Sequence, residues 1–522
     1  MKASVHEGGP SQSVLLPPCL IALAYILLHM VTASRYGYFR DALYYIACSN
    51  HLDWGYVDHP PLIVFVAWIS RHTLGLSLPA LLVWPAAAGA ARIVLTAVIA
   101  RELGTRRFGV ALAALLAAVP GVWMVSDHQF SMNAFEPLFW GGCAYVVLRM
   151  IRSDNPRLWL AFGAIAGLGL ENKYSIAVFA FALIAGLFFT PQRKLLFTPW
   201  LLAGGAVALL FSLPNLLWNI HHHWPFLELM HNIHAAGKDI VLSPVDFLLQ
   251  QALIMSPTTS PFWFGGLFFY LFSRDAKPFR AFGWAFVLTI TFFLVAHGKN
   301  YYSAPVYPIV LAAGAFVVER SLASSRLMEH FRLRSILKPA MFLWLLAGVI
   351  LFLPVTLPVL SVEAFLRYQS HLPFEVPHSE NSQKGTALPQ YYADEFGWPE
   401  MVAAVARVYE SLPPEDRART AILTNNYGEA AAIDFFGLKY GLPKAICPHQ
   451  SYFLWGPRNS TGEIVIRVGA TIDTVRPSYA NVIVAATLDN PYAYSYEIRP
   501  ILLCRGLKTD LQVLWPKLKI WQ

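Results

Sequence analysis

The sequence predicts an all-α polytopic membrane protein that carries a small α/β domain at its C-terminal end. Three observations predict it. Only 13% of the 522 residues are charged and 56% are hydrophobic, against roughly 25% charge in an ordinary soluble domain. Apolar stretches of about 17–23 residues recur before residue 361, a length that suits a bilayer core about 30 Å thick. After residue 361 the composition turns polar and is punctuated by turns, as in a globular domain.

The apolar segments fall near 14–33, 80–100, 109–125, 133–150, 157–171, 174–190, 198–217, 260–273, 281–297, 303–320 and 338–360, about eleven spans. Val14–His29 has no basic run before it and no small-x-small site after it, so it reads as a retained span rather than a cleavable signal. Pro61–Leu74 is apolar but short and reads as a juxtamembrane helix; Phe247–Met255 reads as a partial element.

The basic loops follow every second span. Arg101, Arg106 and Arg107 follow the second; Arg149, Arg152 and Arg157 the fourth; Arg193 and Lys194 the sixth; Arg274, Lys277 and Arg280 the eighth; Arg320, Arg326, Arg332, Arg334 and Lys338 the tenth. By the positive-inside rule these loops are cytoplasmic. The alternate loops and the tail then face outward. The net charge of +8 is therefore a topology signal, and no nucleic-acid partner is expected. The expected organisation is a membrane domain over 1–361, with a first outer loop at 34–79, a linker over 362–391 and an extracytoplasmic α/β domain over 392–522. In that tail, the stretch RTAILTNNYGEAAAIDFFGLKYGLP reads as strand, turn and helix, and NVIVAATL reads as another strand. Its NNYGE turn has the look of a binding loop, against the plainer reading of a strand–helix connection. Cys447 and Cys504 could pair if the tail is outside.

The outward connections hold the residues that fit a membrane least. They are Arg40, Asp41, Asp53, Asp58 and His59; Asp127, His128, Asn133 and Glu136; Glu171, Asn172 and Lys173; His221–His223; and His297, Lys299, Asn300, Tyr301 and Tyr302. Ionisable groups in or near a bilayer are costly and mark polar pathways or sites. In a compact bundle the five groups would share one cavity. Carboxylates there suit proton acceptance from an attacking hydroxyl or amine, and lysines suit a phosphate. Together they describe group transfer from a phosphorylated lipid.

Each residue also has a plainer reading. Asp41 could pair with Arg40 or Arg35, and Asp58 could only organise the turn before Pro60 and Pro61. Lys173 could snorkel or pair with Glu171. Lys299 and the aromatics Tyr44, Tyr45, Tyr301 and Tyr302 could belong to an interfacial belt. Three consecutive histidines on a helix point in different directions, so His221–His223 reads as a wet loop.

Four stretches carry a resemblance: YFRDALYY…GYVDHPPL, SMNAFEPLFW, GLGLENKYSIAVF and GKNYYSAPVYPIVLAAGA. In this order they resemble the glycosyltransferase family 39 type proteins of bacteria, relatives of protein O-mannosyltransferases and of the lipid A aminoarabinose transferase, over about residues 14–320. The resemblance implies a GT-C fold in the bacterial plasma (inner) membrane, with site and tail outside. It implies a polyprenyl-phosphate sugar donor, inversion at the anomeric carbon, and a lipid, glycan or protein acceptor. By the same resemblance Asp41 and Glu136 are the catalytic carboxylates: Asp41, in the first loop, would be the general base or would orient the acceptor nucleophile, and Glu136 matches the second acidic position. Lys173 and Lys299 would hold donor phosphate, with His59 and Arg40 beside them. His59 stands where the lipid A branch often has Lys, which weakens a phosphate contact there. Asp58, Tyr44, Tyr45, Tyr301 and Tyr302 are expected to bind substrate. No cofactor is required, because lysines can neutralise the phosphate; a divalent cation on Asp41 and Glu136 stays open. A lipid-linked transporter or flippase and a non-enzymatic lipid-binding scaffold are the competing classes. Against the transporter, no internal repeat is visible.

Overall fold

The computed structural model describes residues 12–237, 240–324, 333–376, 386–493 and 499–522. Arg326 and Arg332 of the basic loop and 377–385 of the 362–391 stretch lie outside the described residues, as do 1–11 and 494–498. The chain forms two compact units. One comprises 1–33, 82–213 and 241–365; the other comprises 34–81, 214–240 and 366–522. The first outer loop, 34–79, thus groups with the tail.

In the first unit every apolar segment read from the sequence is helical. Among the described residues six helices are by themselves long and apolar enough to cross a membrane: Val14–Thr32, Leu78–Leu103, Pro199–His221, Lys277–Val295, Asn300–Ser324 and Leu333–Thr356. The other five apolar segments are shorter, broken or charged. Arg107–Ala118 ends before Pro120 and resumes as Gly121–Ser126, since proline cannot donate to the helical ladder. Trp159–Leu170, with 12 residues, is about 18 Å long. Ser260–Phe272 has 13 residues. Ile176–Phe188 meets Pro191–Phe197 at a bend of 119°. Glu136–Ser153 has 18 residues but carries Glu136, Arg149 and Arg152.

Small residues let these helices approach closely. A Cβ at Gly266 would collide with the Val310 carbonyl, and one at Gly314 with the Phe262 carbonyl. The Ser260–Phe272 and Tyr307–Ser324 helices therefore cross nearly backbone to backbone, the packing expected where no water drives helices together. One ion pair is fully enclosed among the helices. Arg92 Nη1 lies 2.8 Å from Asp127 Oδ2, which also accepts from the Tyr25 hydroxyl at 2.7 Å. Asp127, read from the sequence as an outer polar group, is therefore a structural counter-ion.

The basic loops of this unit are joined to one another. Glu102 bridges Arg149 at 3.0 Å and Arg152 at 3.1 Å. Asp154 holds Lys194 at 2.7 Å, Asp275 holds Arg320 at 2.6 Å, and Glu319 accepts from the Arg106 and Gly109 amides. The loops after five different helices thus occupy one end of the unit. Glu136 opens the helix whose last turns hold Arg149 and Arg152, so it stands about 20–24 Å away at the other end. Lys173 follows the far end of the helix begun at Pro156, and Lys299 follows the helix begun at Arg280.

The second unit is built on a four-stranded sheet. Strands β1 (Thr420–Leu423), β2 (Ile464–Arg467), β3 (Tyr479–Ala486) and β4 (Ile501–Leu507) take the order β1-β2-β4-β3. β1 and β2 are parallel, with Thr420 opposite Ile464; β2–β4 and β4–β3 are antiparallel. Val465, Leu502 and Cys504 are fully buried in its core. The predicted strand–turn–helix is observed. β1 leads into the Tyr427–Phe436 helix through a reciprocal cap, in which Asn426 accepts from the Glu429 amide and Glu429 accepts from the Asn426 amide. Cys447 and Cys504 are both buried free thiols. Against this domain packs the Arg40–Cys48 helix, buried from Ala42 to Cys48. Gly37 makes the approach possible, since a Cβ there would collide with the Glu395 carbonyl.

Candidate active site

The candidate residues fall into two clusters, one in each unit. In the second unit Phe39 is extended and the Arg40–Cys48 helix begins directly after it. Asp41 therefore sits in the first turn, where the helix end favours negative charge. Its Oδ1 accepts from the Tyr427 hydroxyl at 2.7 Å, and Arg40 Nε lies 3.4 Å from the same oxygen. Arg40 also reaches Asp394 Oδ2 at 3.6 Å and lies over the Tyr427 ring. The Asp41 side chain keeps 28% of its surface exposed.

One turn further on, Tyr44 donates to Asp58 Oδ1 at 3.0 Å and accepts from the Ser451 amide at 3.2 Å. Ser451 Oγ in turn accepts from the Val57 amide at 3.1 Å. Asp58 keeps 22% of its side-chain surface, yet the packed protein around its carboxyl raises its pKa by desolvation; His59 and the Tyr44 hydrogen bond work against the rise, and nearby Asp41 adds to it. Burial first, then the Asp58 charge, pushes the Tyr44 phenol well above its usual value, so it stays a donor.

Four of the expected binding residues are packed against or paired with neighbours. His59 is fully buried among the rings of Tyr44, Tyr45 and Tyr56, with Nδ1 against the Pro60 carbonyl at 2.9 Å and Nε2 3.8 Å from Asp58. It supports the turn and has no surface for a phosphate. Tyr44 and Tyr45 are 1% and 3% exposed, so neither offers a face to a sugar; their hydroxyl and rings hold the Asp58 turn. Arg40 is engaged by two carboxylates, Asp41 and Asp394.

In the first unit, Lys173 follows the Trp159–Leu170 helix and Glu136 opens the Glu136–Ser153 helix. Lys173 Nζ lies 3.0 Å from Glu136 Oε2 and donates to Asn133 Oδ1 at 2.9 Å. Ser175 Oγ donates to the other oxygen of Glu136. Glu136 is thus enclosed, with 4% of its side chain exposed, and is paired with Lys173. Glu171, the alternative partner, is not the one that pairs with Lys173. The ammonium stands 4.4 Å from the Tyr302 ring centre and 5.9 Å from that of Tyr301, within cation–π range. Both tyrosines and Lys299 are half-buried.

Lys299 immediately precedes the Asn300–Val306 helical turn. That turn is pinned by two glutamines of the Pro244–Ile254 helix, the partial element read at Phe247–Met255. Gln251 donates to the Asn300 carbonyl at 2.9 Å and accepts from Ser303 and Tyr307 at 2.8 and 3.2 Å; Gln250 accepts from Asn300 Nδ2 at 2.6 Å. His221 and His223 are exposed, as a wet loop requires. Among the described residues, no three His, Cys, Asp or Glu side chains come together as metal ligands. Sequence reasoning missed Tyr427, Ser451, Asp394, Gln250 and Gln251; of these, Tyr427 lay in the NNYGE turn, and Gln250 and Gln251 lay in the Phe247–Met255 stretch, read only as a partial element.

The helical bundle and the sheet-bearing second unit give a polytopic membrane protein with a fold of the GT-C type. The fold is shared with ArnT from Cupriavidus metallidurans bound to undecaprenyl phosphate, at TM-score 0.59 and 13% identity over 95% of this chain and 98% of that one. The apo state of the same protein matches at TM-score 0.57 and 13% identity, over 93% and 97%. Residues 58–218 match the family described as dolichyl-phosphate-mannose-protein mannosyltransferase. The lipid A galacturonosyltransferase RgtD of Rhizobium johnstonii is 28% identical over 210 residues, 39% of this chain. The match spans 43% of that relative's length. These findings bear out the resemblance to the glycosyltransferase family 39 type proteins.

Proposed function

We propose that this protein is a membrane glycosyltransferase that moves a sugar from a polyprenyl-phosphate donor to a lipid, glycan or protein acceptor, with inversion, on the outer face of a bacterial plasma membrane. The observation that carries the reading is the ammonium of Lys173. It is fixed by Glu136 and Asn133 beside Tyr302, at the end of its unit away from the basic loops. A lysine held this way suits a lipid phosphate at one membrane face.

In this reading Asp41 takes the proton of the acceptor hydroxyl or amine as that atom attacks the anomeric carbon. The bond from that carbon to the donor phosphate oxygen breaks, and the electron pair leaves with the phosphate. Lys173 and Lys299 stabilise the departing charge, so neither a general acid nor a metal cofactor is required. Glu136 holds Lys173 in place, Tyr301 and Tyr302 border the donor, and Asp58 contacts the sugar or acceptor. The name of the RgtD relative favours a lipid acceptor and a uronic acid sugar.

The test is transfer by purified protein in proteoliposomes. Polyprenyl-phosphate hexose, pentose, uronic acid and amino-sugar donors are offered with envelope glycolipid extract, and products are read by mass spectrometry. The wild type should add one sugar mass, and Asp41→Asn should abolish transfer while donor binding persists. Undiminished transfer by Asp41→Asn, or passage of labelled donor across the vesicle with no sugar transferred, would overturn the reading.

A further inference from the structure

We propose that Tyr427, carried by the tail domain, is a positioning residue for Asp41, so that the tail completes the catalytic carboxylate. The proposal rests on the role assigned to Asp41 above. Both contacts of Asp41 among the described residues, the Tyr427 hydroxyl at 2.7 Å and Arg40 Nε at 3.4 Å, fall on Oδ1. Oδ2 is left to receive a proton, and the 28% exposure of the side chain gives an acceptor access.

Tyr427 is itself rigidly held. It is the first residue of its helix, directly after the reciprocal Asn426–Glu429 cap. Its amide faces His449 Nδ1 at 3.3 Å, and its ring stacks on His449 and leans on Tyr44. Gly428 adjoins it because a side chain there would press on Arg40 Cγ. Burial is the first cause that keeps the phenol far above its ordinary pKa, so it donates throughout the physiological range. The charged and titratable groups facing Asp41 are Arg40, Tyr427, Tyr45 and Asp58. Of these only Arg40 and Tyr427 contact its oxygens. The hydroxyl fixes Oδ1 and with it the direction in which Oδ2 faces an acceptor.

The test is Tyr427→Phe, which keeps the ring and removes the hydroxyl, with Tyr452→Phe as control. Tyr452 also loses a hydrogen bond, to Asp434 Oδ2 at 3.1 Å, but none to Asp41. Tyr427→Phe should lower kcat about ten-fold or more with donor KM unchanged. Tyr452→Phe should leave kcat within about two-fold of the wild type. A Tyr427→Phe enzyme with wild-type kcat overturns the proposal, as does an equal fall of kcat in both variants. If Asp41→Asn retains full transfer, the function of Asp41 fails first; if Asp41→Asn is inactive and Tyr427→Phe is normal, only the role of Tyr427 fails.

Discussion

Lys173→Met separates the structural from the chemical work of one charge. Lys173 Nζ and Glu136 Oε2 are 3.0 Å apart, with 13% and 4% of their side chains exposed. At an effective dielectric of about 20 the pair attraction at that distance is roughly 5–6 kcal/mol. Removing one partner of an enclosed pair costs about 3–5 kcal/mol, because the other charge stays buried alone. Lys173→Met should therefore melt well below the wild type in detergent. The double variant Glu136→Gln/Lys173→Met removes both charges and should recover most of that loss. It should not recover transfer, because the cation for the donor phosphate is gone; a deficit of about 100-fold or more in kcat is expected, as for other removed transition-state contacts. The assay pairs thermal unfolding with donor-dependent transfer for all three proteins. A double variant that transfers at the wild-type rate would refute the phosphate role. A single variant as stable as the wild type would refute the anchoring role of Glu136.

Two further outcomes concern the tail. Asp416 is held below its usual pKa, first by the hydrogen bond from Arg505 and then by Arg505 and Arg419 as charges. A depressed carboxyl stabilises above its unfolded pKa and loses that contribution as pH falls through the folded one. Asp416→Asn should thus lower the tail's melting point at pH 7, and the gap should close on acidification below about pH 4; a gap independent of pH would contradict this. Five free cysteines should be counted by alkylation and mass spectrometry of denatured, unreduced protein; a count of three, with Cys447 and Cys504 unmodified, would show that these two pair.

The membrane part was legible because periodic apolarity survives without tertiary information: all eleven apolar segments are helices. Their true lengths were less legible. Pro120 and the bend after Phe188 cut continuous apolar text into shorter pieces, and hydropathy does not register a break. Asp41, Lys173 and Lys299 stood out as charge in apolar surroundings. Their supports did not. Tyr427 lies 386 residues from Asp41, and Gln251 looks like any polar residue on a short helix until Asn300 and Tyr307 are seen around it. The surroundings of His59, Tyr44 and Tyr45 were illegible for another reason. Residue type suggested ligands, whereas their burial is encoded by no local pattern.

The enclosed Arg92–Asp127 pair has a consequence for how the chain is made. Arg92 sits inside the Leu78–Leu103 helix, and a lone arginine at a helix centre costs about 2.5 kcal/mol or more to insert. Its carboxylate is synthesised 35 residues later, a delay of roughly 2–7 s at the usual pace of the ribosome. During that interval the Leu78–Leu103 segment carries its arginine without the partner, and the emergence of Asp127 removes that cost.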